Sequence, residues 1–164
     1  MRIYGTPPTR VIKALWLLNE LQVDYELIPV ALLEGEHLQP AFRELNPAAK
    51  VPVLVDGSLV LPESAAIALY LAEKHPEAGF IPESIEERAQ MHRWLYFLNS
   101  EIEANLWRIA KHEFIYPEES RLPAEVALAT KDLLGMLKVL EEHMQDREFV
   151  VAGKASVADF VAAY

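Results

Sequence analysis

Residues 75–83 interrupt every periodicity in the chain, and the two sides of that break obey different rules. The stretch holds His75-Pro76, Gly79 and Pro82, which punctuate helix and strand alike. It divides the sequence into a first domain over residues 1–75, a linker over 76–83 and a second domain over 84–164. Upstream, short strand patterns alternate with helical ones. Downstream, only helical spacing is readable.

The first half begins with a strand at residues 2–5 and the turn residues Thr6, Pro7 and Pro8. Thr9 then reads as an N-cap, and Val11, Ala14, Leu15 and Leu18 recur at helical spacing up to about Gln22. A second strand follows at 25–30. After the loop 33–37 comes a short helix at 40–45, where Pro40 suits the first turn because no donor is needed there. Two β-rich runs, 51–55 and 58–61, flank Asp56-Gly57, a pair that tolerates the positive φ of a two-residue hairpin turn. Ser64 reads as the cap of an apolar helix ending near Lys74. The order βαβαββα makes a compact α/β unit whose first two strands, joined by a helical crossover, lie parallel.

In the second half, Ser84 and Glu87 have capping-box spacing, and Met91, Trp94, Leu98, Ile102, Leu106 and Ile109 draw a stripe along one long helix. A second stripe runs through Val126, Leu133, Leu137, Leu140 and Met144. Beyond Gly153, Ser156 and Asp159 have N-cap and N3 spacing for a last helix. The fold class is therefore an α/β domain followed by an all-α helical bundle. Stopping at Tyr164, about two turns into the last helix, leaves an apolar segment uncovered, and a chain truncated at its C-terminus is the expectation.

Composition narrows the chemistry. A 164-residue chain that is 52% hydrophobic can bury a core. Its 15 basic against 25 acidic residues give a net charge of -10, with no segment gathering Lys and Arg on one face, which argues against nucleic acid as a partner. No apolar run is long enough for a membrane span, and the expected location is cytoplasmic. The absence of cysteine excludes disulfides, thiolate metal sites and a cysteine nucleophile, so any thiol chemistry must come from a ligand.

Three segments that the chain order brings to one sheet edge carry polar groups suited to a small anion. Thr9 sets a hydroxyl at a helix start, where unpaired N–H groups and the dipole favour negative charge. As a plain cap it would do the same for the helix alone. Pro52 falls just inside a strand that needs ladder donors, so a bulge or a cis bond is expected, and a cis bond would free the N–H and C=O of Val51 to pair with a peptide-like ligand. Glu63-Ser64 sets a carboxylate beside a hydroxyl at a third helix start, able to take both charges of an amino-acid head group.

These residues together resemble the glutathione transferase superfamily. The resemblance rests on Ile3-Tyr4-Gly5 with Thr9 and Lys13, Gly35-Glu36-His37, the run from Asn46-Pro47 to Val53, the run from Leu61 to Ile67 with Tyr70-Leu71, and the run from Ser156 to Phe160. It is strongest to the theta and delta type and their bacterial relatives. It implies a thioredoxin-like first domain with glutathione as co-substrate and no metal. Glu63 and Ser64 would hold the γ-glutamyl end, Val51 would pair its main chain with the cysteinyl part, Pro52 would be the cis proline, and His37 and Lys50 would meet the glycyl carboxylate. The catalytic hydroxyl falls on Thr9, donating to the thiolate, with Tyr4 and Thr6 as alternatives. Trp107 and Phe114 are candidates for lining the pocket of a small hydrophobic electrophile. A homodimer is also implied. Two other functions share these features: a non-catalytic docking or regulatory module, and a glutathione-dependent thiol reductase or peroxidase.

Overall fold

The computed structural model describes residues 1–162; Ala163 and Tyr164, the end of the last predicted helix, lie outside them. The chain forms two compact units, one made of residues 1–82 joined by those from Asp159 on, the other of Glu83–Ala158.

The first unit holds a four-stranded sheet in the order β2-β1-β3-β4, built from β1 (Arg2–Tyr4), β2 (Glu26–Ile28), β3 (Val53–Asp56) and β4 (Leu59–Pro62). β1 and β2 run parallel, as a helical crossover requires, while β3 is antiparallel to both β1 and β4. Helices α1 (Val11–Glu20), α2 (Pro40–Leu45) and α3 (Ser64–Lys74) cover it. Alternation along the strands divides the core. Tyr4 and Val53 pair across the sheet and pack with Val30 and Phe42 on the α2 side, whereas the neighbouring pair Ile3 and Leu54 points the other way. On α1 and α3 the fully buried residues Val11, Ala14, Leu17, Ile67, Ala68 and Leu71 form the packed stripes. Trp16 and Phe80 each set an edge against Phe160, at centroid distances of 4.8 and 4.9 Å.

Three expected boundaries shift by one residue. The hairpin turn is Gly57-Ser58, because Asp56 still pairs with Leu59; Gly57 supplies the positive φ of +60°, and the Asp56 carboxylate accepts hydrogen bonds from Tyr70 and Lys74 on α3. Ser64 is the first residue of α3 and Glu63 occupies the cap. Arg10, already in helical conformation, occupies the cap of α1, because a tight turn from the Ile12 N–H to the Thr9 C=O delays the helix by one residue. Thr9 still accepts a long 3.4 Å bond from the Val11 N–H.

The second unit is helical. Helix α4 (Ile85–Phe97) starts at Ser84, whose hydroxyl accepts from the Glu87 N–H at 3.0 Å, as the capping-box spacing predicts. It continues through the π-wound segment Leu98–Glu103, α5 (Ala104–Ala110) and a second π segment, Lys111–Ile115. The wider winding of Leu98–Glu103 rotates the faces of α5. Asn105 is therefore buried and Leu106 is 41% exposed, against the expected stripe. Helix α6 (Pro123–Met144) buries Ala129 and Leu133 with Met136 and Leu140 half-buried, and Leu137 lies off that face. Arg108 joins α5 to α6 through Glu125 and Asp132. Helix α7 (Val157–Ala162) begins immediately after Ser156, where its cap was expected, but from Asp159 it belongs to the first unit rather than to the helical domain expected over 84–164, because Phe160 packs against Trp16 and Phe80.

Candidate glutathione site

The pairs Tyr4 with Val53 and Val53 with Pro62 align the C-terminal ends of β1 and β4 with the start of β3. The chain thus delivers three segments to one edge of the sheet: the entry to α1, the loop before β3, and the start of α3. A cleft at that edge is lined by Lys50, Val51, Pro52, Glu63 and Ser64, joined by Arg10 and Asn46. Five of the seven residues expected at the site are brought together there. Thr9 and His37 are not part of this lining.

Two backbone features shape the cleft. The Val51-Pro52 bond is cis, one of the two alternatives its position allowed. The Val51 N–H and C=O enter no hydrogen bond among the described residues, leaving a peptide edge exposed in the cleft wall. Glu63, a non-glycine residue, is held at φ +75°. Such a conformation costs on the order of 1–3 kcal/mol and persists where surrounding structure over-determines it, commonly at ligand sites. Ser64 beside it is 6% exposed, and its hydroxyl has no hydrogen-bond partner among the described residues.

Asn46, to which the sequence assigns no role of its own at the site, organises the loop. It is 5% exposed. Its Nδ2 donates to the Lys50 C=O at 2.8 Å, its Oδ1 accepts from the Ala48 N–H at 3.0 Å, and its own C=O accepts from the Ala49 N–H at 2.8 Å. These bonds fix residues 46–50, including Ala49 at φ +54°, and so set where Lys50 and Val51 face. The available signal was the Asn-Pro dipeptide, which marks turn initiation.

The candidate hydroxyls differ in what remains unspent. Thr6 donates to the Val30 C=O and accepts from the Val30 N–H, both at 2.9 Å, so its one proton is committed. Thr9 only accepts, from Val11, and keeps its proton for another acceptor. Tyr4 packs its ring against the Val30, Phe42 and Val53 cluster. Gly5 lets the β1-to-α1 loop approach: a Cβ there would stand 2.9 Å from the Cβ of Val11. His37 lies on a single 3₁₀ turn, Glu36–Leu38, with its Nδ1 buried and unpartnered. Trp107, half-buried on α5, and Phe114, 73% exposed, both belong to the second unit.

The charges at the edge are mixed. Arg10 and Lys50 bring positive charge into the cleft and Glu63 brings negative. One turn along α1, Lys13 is only 1% exposed; burial, and secondarily the charge of Arg10, push its ammonium down to about 8. Two wider hollows lie elsewhere, one at the opposite sheet edge around Arg2, Glu26 and Gly57, the other on the second unit around Glu142, His143 and Arg147. Neither contains an expected site residue. Among the described residues no cluster of three or more His, Asp or Glu side chains is placed to hold a metal, and no helix is long and apolar enough to cross a membrane.

A thioredoxin-like unit with an exposed peptide edge next to a cis proline, followed by a helical unit, is the class that fold and cleft define. Comparison with known proteins gives the family. Residues 1–73 match the N-terminal domain of glutathione S-transferase. Glutathione S-transferase F9 of Arabidopsis thaliana is 31% identical over 166 residues, covering 97% of this chain and 76% of the relative. Glutathione S-transferase theta-1 of Rattus norvegicus is 34% identical over 146 residues, covering 85% of this chain and 60% of the relative. Among solved structures, the theta class glutathione S-transferase from the citrus canker pathogen Xanthomonas axonopodis pv. citri, with glutathione bound, superposes with a TM-score of 0.85 at 30% identity, covering 98% of this chain and 77% of that one. The chain belongs to the glutathione S-transferase family. It spans about three-fifths of the length of the theta-1 relatives it matches.

Proposed function

We propose that the chain binds glutathione in the cleft at the sheet edge and presents its thiolate to a small hydrophobic electrophile, as a cytoplasmic homodimeric transferase. The observation that carries this reading is the convergence of unspent polar groups on one wall: the Val51 peptide edge, the Ser64 hydroxyl and the Glu63 carboxylate. Glutathione offers a match to each. Its ammonium goes to Glu63, its γ-glutamyl carboxylate to Ser64 and the N-terminus of α3, and its cysteinyl main chain to Val51. Lys50 and His37 take the glycyl carboxylate, His37 from the 3₁₀ turn Glu36–Leu38, where its Nδ1 has no partner among the described residues.

The thiol needs activation. Its ordinary pKa of about 8.5 must fall by about two units, roughly 2.7 kcal/mol, for thiolate to dominate at neutral pH. The N-terminus of α1 contributes about 0.3–1 kcal/mol, and a hydroxyl donating to a charged acceptor about 1.5–3, which together reach that range. Thr9 is assigned as that donor because its proton is unspent, although its methyl group restricts χ1. The thiolate then attacks an electrophilic carbon, and the enzyme gains by activating and positioning the nucleophile.

Ultraviolet difference titration of bound glutathione tests this. The wild type should ionise the thiol near neutrality, and Thr9→Ala should need markedly higher pH. Binding with an unshifted thiol would instead make the protein a glutathione-dependent docking module, and a shifted thiol unchanged in Thr9→Ala would move the donor role to another group.

A further inference from the structure

The segment that carries His37 has little apolar packing to hold it in place. Residues 31–38 fold as two consecutive 3₁₀ turns, Leu32–Glu34 and Glu36–Leu38, joined at Gly35, whose φ of +75° suits a residue without a Cβ. Such turns are short and have poorer hydrogen-bond geometry than an α-helix. Neither contains a fully buried residue: Leu33 is fully exposed and Leu38 mostly so. Leu32, half-buried against the Val30, Phe42 and Val53 cluster, anchors the start of the segment, well before His37. The other anchors are polar. The Thr6 hydroxyl ties both backbone groups of Val30 to the loop after β1. Glu36 ties the next residue: its Oε2 accepts from the Ala31 N–H at 2.6 Å, while its own N–H donates to the Ala31 C=O at 3.1 Å. This reciprocal pair closes a ring over residues 31–36, and His37 follows it directly.

We propose that Glu36 is a positioning residue for glutathione: by closing the 31–36 ring it fixes the turn from which His37 reaches the glycyl carboxylate. This rests on the proposed glutathione site and deepens it at the glycyl end. Charge alone argues the other way. A carboxylate adjacent in the chain to a residue that receives a carboxylate repels the ligand, so an acid here lowers affinity unless its hydrogen bond gains more than its field loses. Glu36 is exposed, where water and salt screen the repulsion. Its bond to the Ala31 N–H is short, charge-assisted and local. Positioning therefore outweighs repulsion. A side chain already held in the free protein also avoids the entropy loss of being ordered when the ligand arrives.

The test is a binding cycle on the full chain, read by isothermal titration with two ligands. Glutathione is compared with γ-glutamylcysteine methylamide, which keeps the last peptide bond and lacks the glycyl carboxylate. Glu36→Ala should weaken glutathione by about 3- to 10-fold, the range of one net hydrogen bond, and leave the methylamide at its wild-type affinity. Glu36→Gln, whose amide oxygen can still accept from Ala31, should bind both ligands within about twofold of wild type. In a His37→Ala background, Glu36→Ala should cause no further loss, because a positioning residue acts through the side chain it positions. Ala31→Pro removes the same donor at a φ of -75° that proline adopts, and should show the same selective loss; it carries the test if circular dichroism finds Glu36→Ala unfolded. Full additivity with His37→Ala, or equal losses for the two ligands, overturns the assignment of Glu36 alone. So does tighter glutathione binding by both Glu36→Ala and Glu36→Gln, the sign that the field of the carboxylate outweighs its hydrogen bond. A wild type that binds the methylamide as tightly as glutathione removes the glycyl contact and this inference with it, and leaves the rest of the cleft standing. A wild type that binds no glutathione overturns both this inference and the function on which it rests.

Discussion

Lys13 should make the stability of this protein rise with alkaline pH. The ammonium is buried on α1, and its folded-state value lies at about 8 against an ordinary 10.5. Below pH 8 both folded and unfolded chains bind the proton, so folding carries the cost of burying a charge. Between about 8 and 10.5 the folded chain has released the proton while the unfolded chain still holds it. The unfolded state then binds more protons, and stability climbs with pH through that window. Above 10.5 both are neutral and the gain is complete. A shift of about 2.5 units at 1.36 kcal/mol each corresponds to about 3 kcal/mol. Replacing Lys13 by Met keeps an unbranched apolar chain of comparable length and removes the titration. Urea unfolding of the wild type and Lys13→Met at a series of pH values reads the difference directly, because other groups titrating in the window cancel between the two proteins. Wild type should gain about 3 kcal/mol relative to the variant across the window, with m unchanged. Parallel stability curves would refute the reasoning.

Two further substitutions address the loops that build the cleft. Asn46→Ala leaves the Lys50 C=O and the Ala48 N–H without their side-chain partners, so it should cost about 1–3 kcal/mol in urea unfolding and weaken glutathione more than it weakens the fold, as isothermal titration would show. Gly5→Ala sets a methyl 2.9 Å from the Val11 Cβ; the resulting displacement of α1 should lower stability by about 1–3 kcal/mol, measured as a lower urea midpoint, and a variant as stable as wild type would show the approach to be slack.

Much of this arrangement was legible in the sequence because the signals there are local. The βαβαββα order followed from periodicity and turn chemistry, and the helix start at Ser84 from a capping box whose two members are three residues apart. What escaped was set by tertiary geometry. Asp56-Gly57 looked like the turn, but Asp56 stays in the ladder opposite Leu59, and its carboxylate is used by Tyr70 and Lys74. Leu106 fitted the stripe of an ideal helix; the preceding π-wound segment, which no residue spacing announces, turned Asn105 inward instead.

The site divides in the same way. Lys50, Val51, Pro52, Glu63 and Ser64 were placed together from the resemblance to a family and the chain order, and they line one cleft. Arg10 was missed because α1 starts one residue later than Thr9 suggested, which makes the arginine the cap. Lys13 carried a signal that could have been used: it lies four residues before Leu17, on the inward stripe, where a lysine is out of place.

The most direct measurement of the central claim is a glutathione titration of the isotopically labelled chain, following backbone amide resonances. Binding at the cleft predicts that the amides of Val51 and Ser64 shift first and saturate together, with those at the opposite sheet edge around Arg2 and Glu26 unmoved. Saturable shifts elsewhere, with Val51 and Ser64 silent, would contradict it.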